Sequence, residues 1–354
     1  MNNRISIVTL LCLVILNGCS GGIKEEMIPT LTPNLLPNST NTIQLTEAIT
    51  SVPTVTSTET LPQGETFTLT VSMRDIANIT HIYDIVISCF ETTPCVLSSK
   101  ELFDFPTPAS DLNWSSDGKS LAFSGIENEN YDIFVATNGG KIINNITKTK
   151  ELEERSPNWS PDGTRIAYSV QSSMEPSKIL VSNPGGTSIE QILTDVFEPF
   201  QFTWSHDGRM AYSAFVSTHD GRYQIRVLNK DGSLYLKTPI DDNKMGFGTT
   251  YAAFSPDNKW LLYTGTWLNN SRVFLANLEN KTFQEVVPTD KTCNQLSPSW
   301  SPDGQWLAFI SNCESQESNQ YQLYLMNLAQ SQKIKLDTGI DGSIFDVTWR
   351  PNDK

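Results

Sequence analysis

Three histidines, His81, His206 and His219, are the side chains of this 354-residue chain best placed by chemistry to move protons near neutral pH or to ligate a metal. Their spacing gives neither function a footing. His206 fills the proline slot of a turn, His81 lies just before a strand, and His219 belongs to a Thr-His-Asp-Gly loop. No two of them fall at metal-pair spacing, and the cysteines form no C-x-x-C pair or Cys/His cluster. No Gly-x-Ser-x-Gly elbow is present to expose a nucleophilic serine. Asp117, Asp162, Asp207, Asp257 and Asp303 could offer oxygens to a hard cation, but each occupies the same turn, where its carboxylate binds backbone. The sequence therefore predicts no catalytic residue, no metal and no cofactor.

The N-terminus carries chemistry of another kind. Arg4 precedes the apolar run Ile5–Leu16, whose 12 residues are too few to span a bilayer and suit an export signal. Leu16-Asn17-Gly18-Cys19 follows and resembles a bacterial lipobox, in which the cysteine is diacylated and becomes the new N-terminus; Asn17 departs from the usual small or aliphatic residue. The resemblance implies a signal peptide over 1–18 and a lipid anchor at Cys19. Between Ile28 and Pro62, 35 residues hold ten Thr, five Pro and three Ser with no aromatic residue, too little apolar surface to offset ordering entropy. Residues 19–63 thus read as a tether, with a coil reach of about 35–40 Å.

The elements that must position any site come from a repeat. Trp114-Ser-Ser-Asp-Gly, Trp159-Ser-Pro-Asp-Gly, Trp204-Ser-His-Asp-Gly, Phe254-Ser-Pro-Asp-Asn, Trp300-Ser-Pro-Asp-Gly and Trp349-Arg-Pro-Asn-Asp recur at aromatic spacings of 45, 45, 50, 46 and 49 residues. Proline presets the first turn angle, Asp bonds its own backbone, and Gly, or Asn258, accepts positive φ where the strand re-enters. After each of the first five turns come a short apolar strand (Leu121-Ala-Phe, Ile166-Ala-Tyr, Met210-Ala-Tyr, Leu261-Leu-Tyr, Leu307-Ala-Phe) and a third strand such as Tyr131-Asp-Ile-Phe-Val. A fourth strand follows near Ile142, Ile189, Leu234, Phe283 and Ile334. The alternation predicts antiparallel sheet. A sixth unit takes its first strand from Phe345–Trp349 and its other three from Phe67–Met73, Tyr83–Ile87 and Val96–Phe103. The expected fold is all-β: a six-bladed β-propeller of four-stranded blades over residues 64–354, closed by a blade shared between the two ends.

The phrase, the apolar strand and the Tyr-Asp-Ile strand resemble the TolB-type Pro-Asp propeller repeat, found also in the N-terminal domains of dipeptidyl-peptidase-IV-like enzymes. The resemblance covers residues from about 67 to 354 and speaks for fold more than function. It departs from both families: TolB-type proteins carry an α/β domain where the tether stands, and no hydrolase domain is expected after Trp349. The aromatic anchors read as core between blades.

Four cysteines remain after Cys12 and Cys19, and an even number in an exported chain suggests disulfides in one of three pairings. In the expected fold, Cys293 falls opposite residue 312 or 313, and Cys89 and Cys95 flank the turn 90–94. The favoured pairings are Cys293–Cys313 and Cys89–Cys95.

Binding is then expected on loops that gather at one face of the ring. The fourth-to-first connections include 148–155, 195–200 and 241–249, and the candidates there are Glu154, Arg155, Phe197, Phe200, Met245 and Phe247. Trp267 comes from a second-to-third connection. With 25 basic against 39 acidic residues the net charge is −14, which argues against nucleic acid and against electrostatic docking on anionic lipid. The reading is a membrane-anchored, extracytoplasmic scaffold that binds an unidentified envelope protein or ligand without catalysis, touching the membrane through its N-terminal lipid. Two alternatives stay open: a carbohydrate-active or hydrolytic enzyme with a site assembled across blades, and a sensor holding a small molecule or cation in the central channel.

Overall fold

The computed structural model describes residues 66–351 apart from 91–92, 173–175, 193–198, 218–221, 240–247, 268–269, 287–292 and 316–319. The expected signal peptide and tether lie outside the described residues. Twenty-four strands form six four-stranded antiparallel sheets. Blade 1 holds β4 (Ala109–Trp114), β5 (Ser120–Glu127), β6 (Asn130–Thr137) and β7 (Ile142–Asn145). Blades 2 to 5 repeat the order. Their inner strands are β8 (Glu153–Trp159), β12 (Pro199–Trp204), β16 (Gly248–Phe254) and β20 (Gln295–Trp300). Blade 6 runs β24 (Ile344–Arg350), β1 (Thr66–Arg74), β2 (Thr80–Phe90) and β3 (Thr93–Phe105), so the last strand of the chain is its innermost. The expected six-bladed propeller and its shared blade are what the structure has.

The first five repeats fold through one local device. The serine hydroxyl of Ser115, Ser160, Ser205, Ser255 and Ser301 donates to the aspartate two residues on, at 2.5–2.6 Å. The same Asp117, Asp162 and Asp257 oxygens accept the amides of Lys119, Thr164 and Lys259. At Asp162 these bonds favour the charged carboxylate: the Ser160 hydroxyl first, then the Thr164 amide, brings it down to about 2. The aspartates are thereby assigned to the turns. Gly118 shows why the last position is small: its φ is +66°, and an added Cβ would meet the Pro351 carbonyl oxygen at 2.5 Å.

The core lies between blades. One apolar cluster joins Phe67, Leu69 and Val71 of blade 6 to Trp306, Ile310 and Leu325 of blade 5, and another joins Ala122 and Ile133 of blade 1 to Trp159 and Tyr168 of blade 2. The repeat aromatics belong to this packing as expected, with Trp114, Trp159, Trp300 and Trp349 all buried. Fully burying one such ring contributes about 1.5–3 kcal/mol, which the repeat multiplies around the ring.

The cysteines divide. Cys293 and Cys313 are bonded, as expected, across the β20–β21 hairpin (β21, Trp306–Ser311) with Cα atoms 4.9 Å apart. The Cys89–Cys95 pairing is not formed. The β2–β3 register sets Ser88 opposite Cys95 and Pro94 opposite Cys89, one rung away from the pairing a bridge would need. Cys95 carries an exposed free thiol, and the side chain of Cys89 lies outside the described residues.

A maleimide reagent should therefore modify Cys95 in the native protein and reach Cys293 and Cys313 only after reduction, as peptide mass mapping would show; protection of Cys95 would contradict the register. Cys313→Ser should lower the unfolding free energy by about 3 kcal/mol, the loop-closure value for a loop of this size, measured by urea denaturation.

Candidate functional site

The six inner strands do more than start each blade. Three residues before each repeat aromatic stand Asp111, Ser156, Gln201, Tyr251, Ser297 and Asp346. The first five have φ between +48° and +58°, a left-handed conformation that non-glycine residues adopt only under constraint. At the same place each inner strand slips register against its neighbour, for example between Ser110 and Asn113 and between Leu296 and Ser299. These are β-bulges, and a bulge re-aims a side chain. All six residues line one cavity of about 140 Å³ on the axis of the ring, with contributions from every blade.

Polar groups at this cavity also stitch the inner strands together, since among the described residues no strand ladder joins one sheet to the next, and β-bridge pairing between blades is limited to the isolated bridge Ser271–Asn294. Asp346 Oδ2 accepts the Leu112 amide at 2.7 Å, and Oδ1 accepts the Val347 amide at 2.9 Å. Gln201 Oε1 accepts the Tyr251 amide at 2.6 Å, and Asn113 Oδ1 accepts the Trp159 amide at 2.9 Å. Asp111 Oδ2 takes the Ser124 hydroxyl at 2.8 Å and the Ser156 amide at 3.3 Å.

The electrostatics of the cavity are acidic. Burial, and then the charge of Asp111, pushes the Asp346 carboxyl up to about 7, against the pull of the Leu112 amide. Tyr251 remains 40% exposed, and the space it faces is the channel. Burial of its hydroxyl, followed by the charges of Asp111 and Asp346, raises its pKa, while Arg155 opposes. Arg155 sits one residue before the bulge of β8, bonded to Glu153 at 3.1 Å with its guanidinium over the Tyr131 ring. The arrangement can accept hydrogen bonds and attract positive charge from a group entering the axis.

The residues singled out from sequence fall differently. Arg155 is half-buried, held by Glu153 and the Tyr131 ring, and is not among the residues that line the axial cavity. Glu154 is a correction: it is 2% exposed, bonded to Thr149 and turned into the junction between blades 1 and 2. Adjacent strand residues point to opposite faces, so the neighbour of the half-buried Arg155 is directed into the sheet packing. Phe200 is half-buried and packs on Tyr223, with ring centroids 6.0 Å apart. Phe197, Met245 and Phe247 lie outside the described residues, as does the side chain of Trp267 at the end of β17 (Trp260–Trp267). His206 is exposed in its turn, and His219 lies outside the described residues.

His81 is drawn into a group that spacing did not reveal. Its Nδ1 is 2.6 Å from Asp104 and 3.5 Å from Glu101, and Nε2 is 3.5 Å from Asp75. Partial burial lowers its pKa, but the bond to Asp104 and the surrounding carboxylates outweigh it, so the net shift is upward. The imidazolium thus has its own counter-ions. The bulge positions were also missed, although the aromatic spacing carried their signal: counting back three residues would have found them.

Known proteins with this architecture bear on the reading. No family model matches the chain. It is 22% identical over 249 residues to the Tol-Pal system protein TolB of Francisella tularensis, a match covering 69% of this chain and 54% of that protein. The chain therefore spans about half the length of such relatives. It is 30% identical over 116 residues to the uncharacterized peptidase YuxL of Bacillus subtilis, covering 32% of this chain and 17% of that one. The crystal structure of TolB from Acinetobacter baumannii superposes with a TM-score of 0.62 at 16% identity, over 81% of this chain and 67% of that chain. The described domain is a TolB-like β-propeller.

The raised Asp346 pKa sets a pH dependence. Between about pH 4 and pH 7 the folded protein holds a proton on Asp346 that the unfolded chain has released, so stability falls as pH rises through that window. The penalty is complete above pH 7 and at most about 4 kcal/mol. In Asp346→Asn that slope should flatten in urea titrations run at each pH; an unchanged slope would place the proton elsewhere.

Proposed function

We propose that this chain is a lipid-anchored, extracytoplasmic propeller that binds a partner protein at the mouth of its central channel and does not catalyse a reaction. The observation that carries the reading is the six-fold convergence of Asp111, Ser156, Gln201, Tyr251, Ser297 and Asp346 on one axial cavity. Every blade spends an uncommon backbone conformation or a strand irregularity to place one polar residue there, and such irregularities persist where the surrounding structure holds them for use. The partner segment that suits the cavity is a narrow one carrying Lys, Arg or backbone N–H groups, because the ring supplies carboxylates and side-chain oxygens and the chain as a whole has a net charge of −14.

The TolB relatives support an envelope setting, since their name assigns them to the Tol-Pal system. The lipobox-like Leu16–Cys19 and the export signal before it fit the same setting. The hydrolytic alternative draws on the peptidase YuxL, whose match spans only 116 residues. On our reading the propeller is shared with such enzymes as a scaffold, and the chemistry is not.

The test is a proximity pull-down from native membranes with the wild type, Tyr251→Ala and Cys19→Ser. One envelope protein recovered with the wild type and lost with Tyr251→Ala, whose ring can be removed without touching the core, is the expected result. Cys19→Ser should leave the membrane fraction. Recovery of the same partner by Tyr251→Ala would displace the site from the channel, and peptide or polysaccharide turnover by the purified protein would overturn the non-catalytic reading.

A further inference from the structure

The junction between blades 5 and 6 holds a cavity of about 500 Å³, which shares no lining residue with the axial cavity. Its walls are the start of β22 (Gln322–Asn327), the end of β23 (Gln332–Lys335) and the connection 336–343 that leads into β24. That connection is tied down on both sides. The Ser99 hydroxyl of β3 donates to the Thr338 carbonyl at 2.6 Å, and the Tyr321 amide donates to the Ser343 hydroxyl at 2.9 Å. Gly342 turns it with φ of +123°, and a Cβ there would meet Met73 Cε at 2.8 Å, so the backbone lies close against β1.

In other blades one side chain ties down the matching place. Asp132, Gln224 and Arg272 precede Ile133, Ile225 and Val273 in blades 1, 3 and 4, and each binds the connection that leaves the fourth strand of its blade. Asp132 accepts the Thr147 hydroxyl at 3.1 Å and the Thr149 amide at 3.2 Å. Gln224 Nε2 donates to the Thr238 carbonyl at 2.7 Å, and the Arg272 guanidinium donates to the Cys293 carbonyl. Blade 5 has Gln322 here, lining the cavity, and its side chain has no hydrogen-bond partner among the described residues.

A main-chain donor is left open beside it. Leu323 is 1% exposed, and its carbonyl accepts the Leu336 amide at 2.9 Å. Its own amide therefore lies on the same edge of β22, away from β21. At the matching residues a side-chain oxygen takes that amide: Thr147 Oγ1 at 3.0 Å for Ile133, Thr238 Oγ1 at 3.1 Å for Ile225 and Gln295 Oε1 at 3.3 Å for Val273. For Leu323 no described residue supplies an acceptor. Buried main-chain donors are nearly always paired, and what this one borders is the cavity.

We propose that this cavity binds a neutral mono- or disaccharide, with a sugar oxygen accepting the Leu323 amide and sugar hydroxyls donating to Asp337 and Asp341. The lining selects the class. An anion would meet two carboxylates against the single ammonium of Lys335, on a chain whose net charge is −14. A cation has no acceptor for the Leu323 amide, and an apolar molecule would leave Gln322 and both aspartates without partners. A hydroxyl donates and accepts at once. A ring bearing several of them serves the amide, the Gln322 side chain and a carboxylate together. The volume falls within the roughly 300–1,000 Å³ of small-molecule sites, and the tied connection keeps the cavity formed before the ligand arrives.

The experiment is saturation-transfer NMR on the full chain in a sugar-free detergent, with maltose, cellobiose and N,N′-diacetylchitobiose each titrated to a Kd. At least one of the three should receive magnetisation from the wild type. Asp341→Ala should weaken its binding roughly tenfold, the loss expected for a bond to a charged group, and Gln322→Ala should weaken it severalfold. Asp341 is exposed, so its removal leaves the core alone; should Gln322→Ala lose its near-UV circular dichroism, Asp341→Ala decides. No transfer from any of the sugars would mean that water alone fills the cavity, and would overturn the site. Binding unchanged in Asp341→Ala would place the sugar elsewhere, and binding abolished in Tyr251→Ala would place it in the channel; either result refutes the assignment. Tighter binding of glucuronate than of the neutral sugars would overturn the ligand class.

Discussion

A propeller stands or falls on whether its two ends meet. Here the meeting is made in blade 6, where β24 and β1 pair from Thr68–Arg350 to Met73–Ile344. The ladder is reinforced from the side. Arg350 Nη1 reaches Asp84 at 2.7 Å, its Nε donates to the Gly118 carbonyl at 2.9 Å, and its guanidinium lies over the Trp114 ring. Trp114 in turn donates to Thr70, which donates to Asp84. One arginine near the end of the chain thus ties the closing strand to the blade it completes and to the blade that follows. Within the ring, each inter-blade cluster is flanked by two others, so a gap at the seam would expose two apolar faces at once.

The channel follows from the same closure. Parallel inner strands around an axis cannot hydrogen-bond to one another through their backbones, so their polar groups must find side chains or water. The bulges answer this: Asp111, Gln201 and Asp346 each accept an amide from the next inner strand. The residues that complete the ring are therefore the same ones that face the axis. Asp346 illustrates the compromise, because the carboxylate that bonds the Leu112 amide is buried, and held near Asp111, and its pKa is raised by that burial first and by the Asp111 charge second. A scaffold bond and a recognition group are here one side chain.

How much of this could be read from sequence depended on the range of the forces. The hairpin turn is local: serine, aspartate and glycine within five residues make nearly all its bonds, so the phrase predicted both the turn and, by its period, the six blades. The shared blade was legible because three strands without a phrase of their own preceded the first phrase, and the sixth phrase's strand could complete them. The bulge positions were not legible by type, since Asp, Ser, Gln, Tyr, Ser and Asp share no chemistry. What unites them is a backbone conformation imposed by the axis. Glu154 was misplaced because a run such as Lys-Thr-Lys-Glu-Leu-Glu-Glu-Arg reads as a solvated rim, and only packing against Asp132 from another blade shows that one of its acids is inside. The Cys89–Cys95 pairing failed for a smaller reason: a single rung of register, which sequence spacing does not resolve.

The position of β1 has a mechanical side. It is the first described strand, yet it lies in the interior of its sheet, with β24 on one flank and β2 on the other. Tension entering the chain at Thr66 and directed along the strand would load both ladders in shear, so that many hydrogen bonds share the force and must yield together. Had the first strand been an outer one, the same pull could have peeled it away bond by bond. A domain held at its N-terminal side is in this way gripped by the part of its structure least able to unzip.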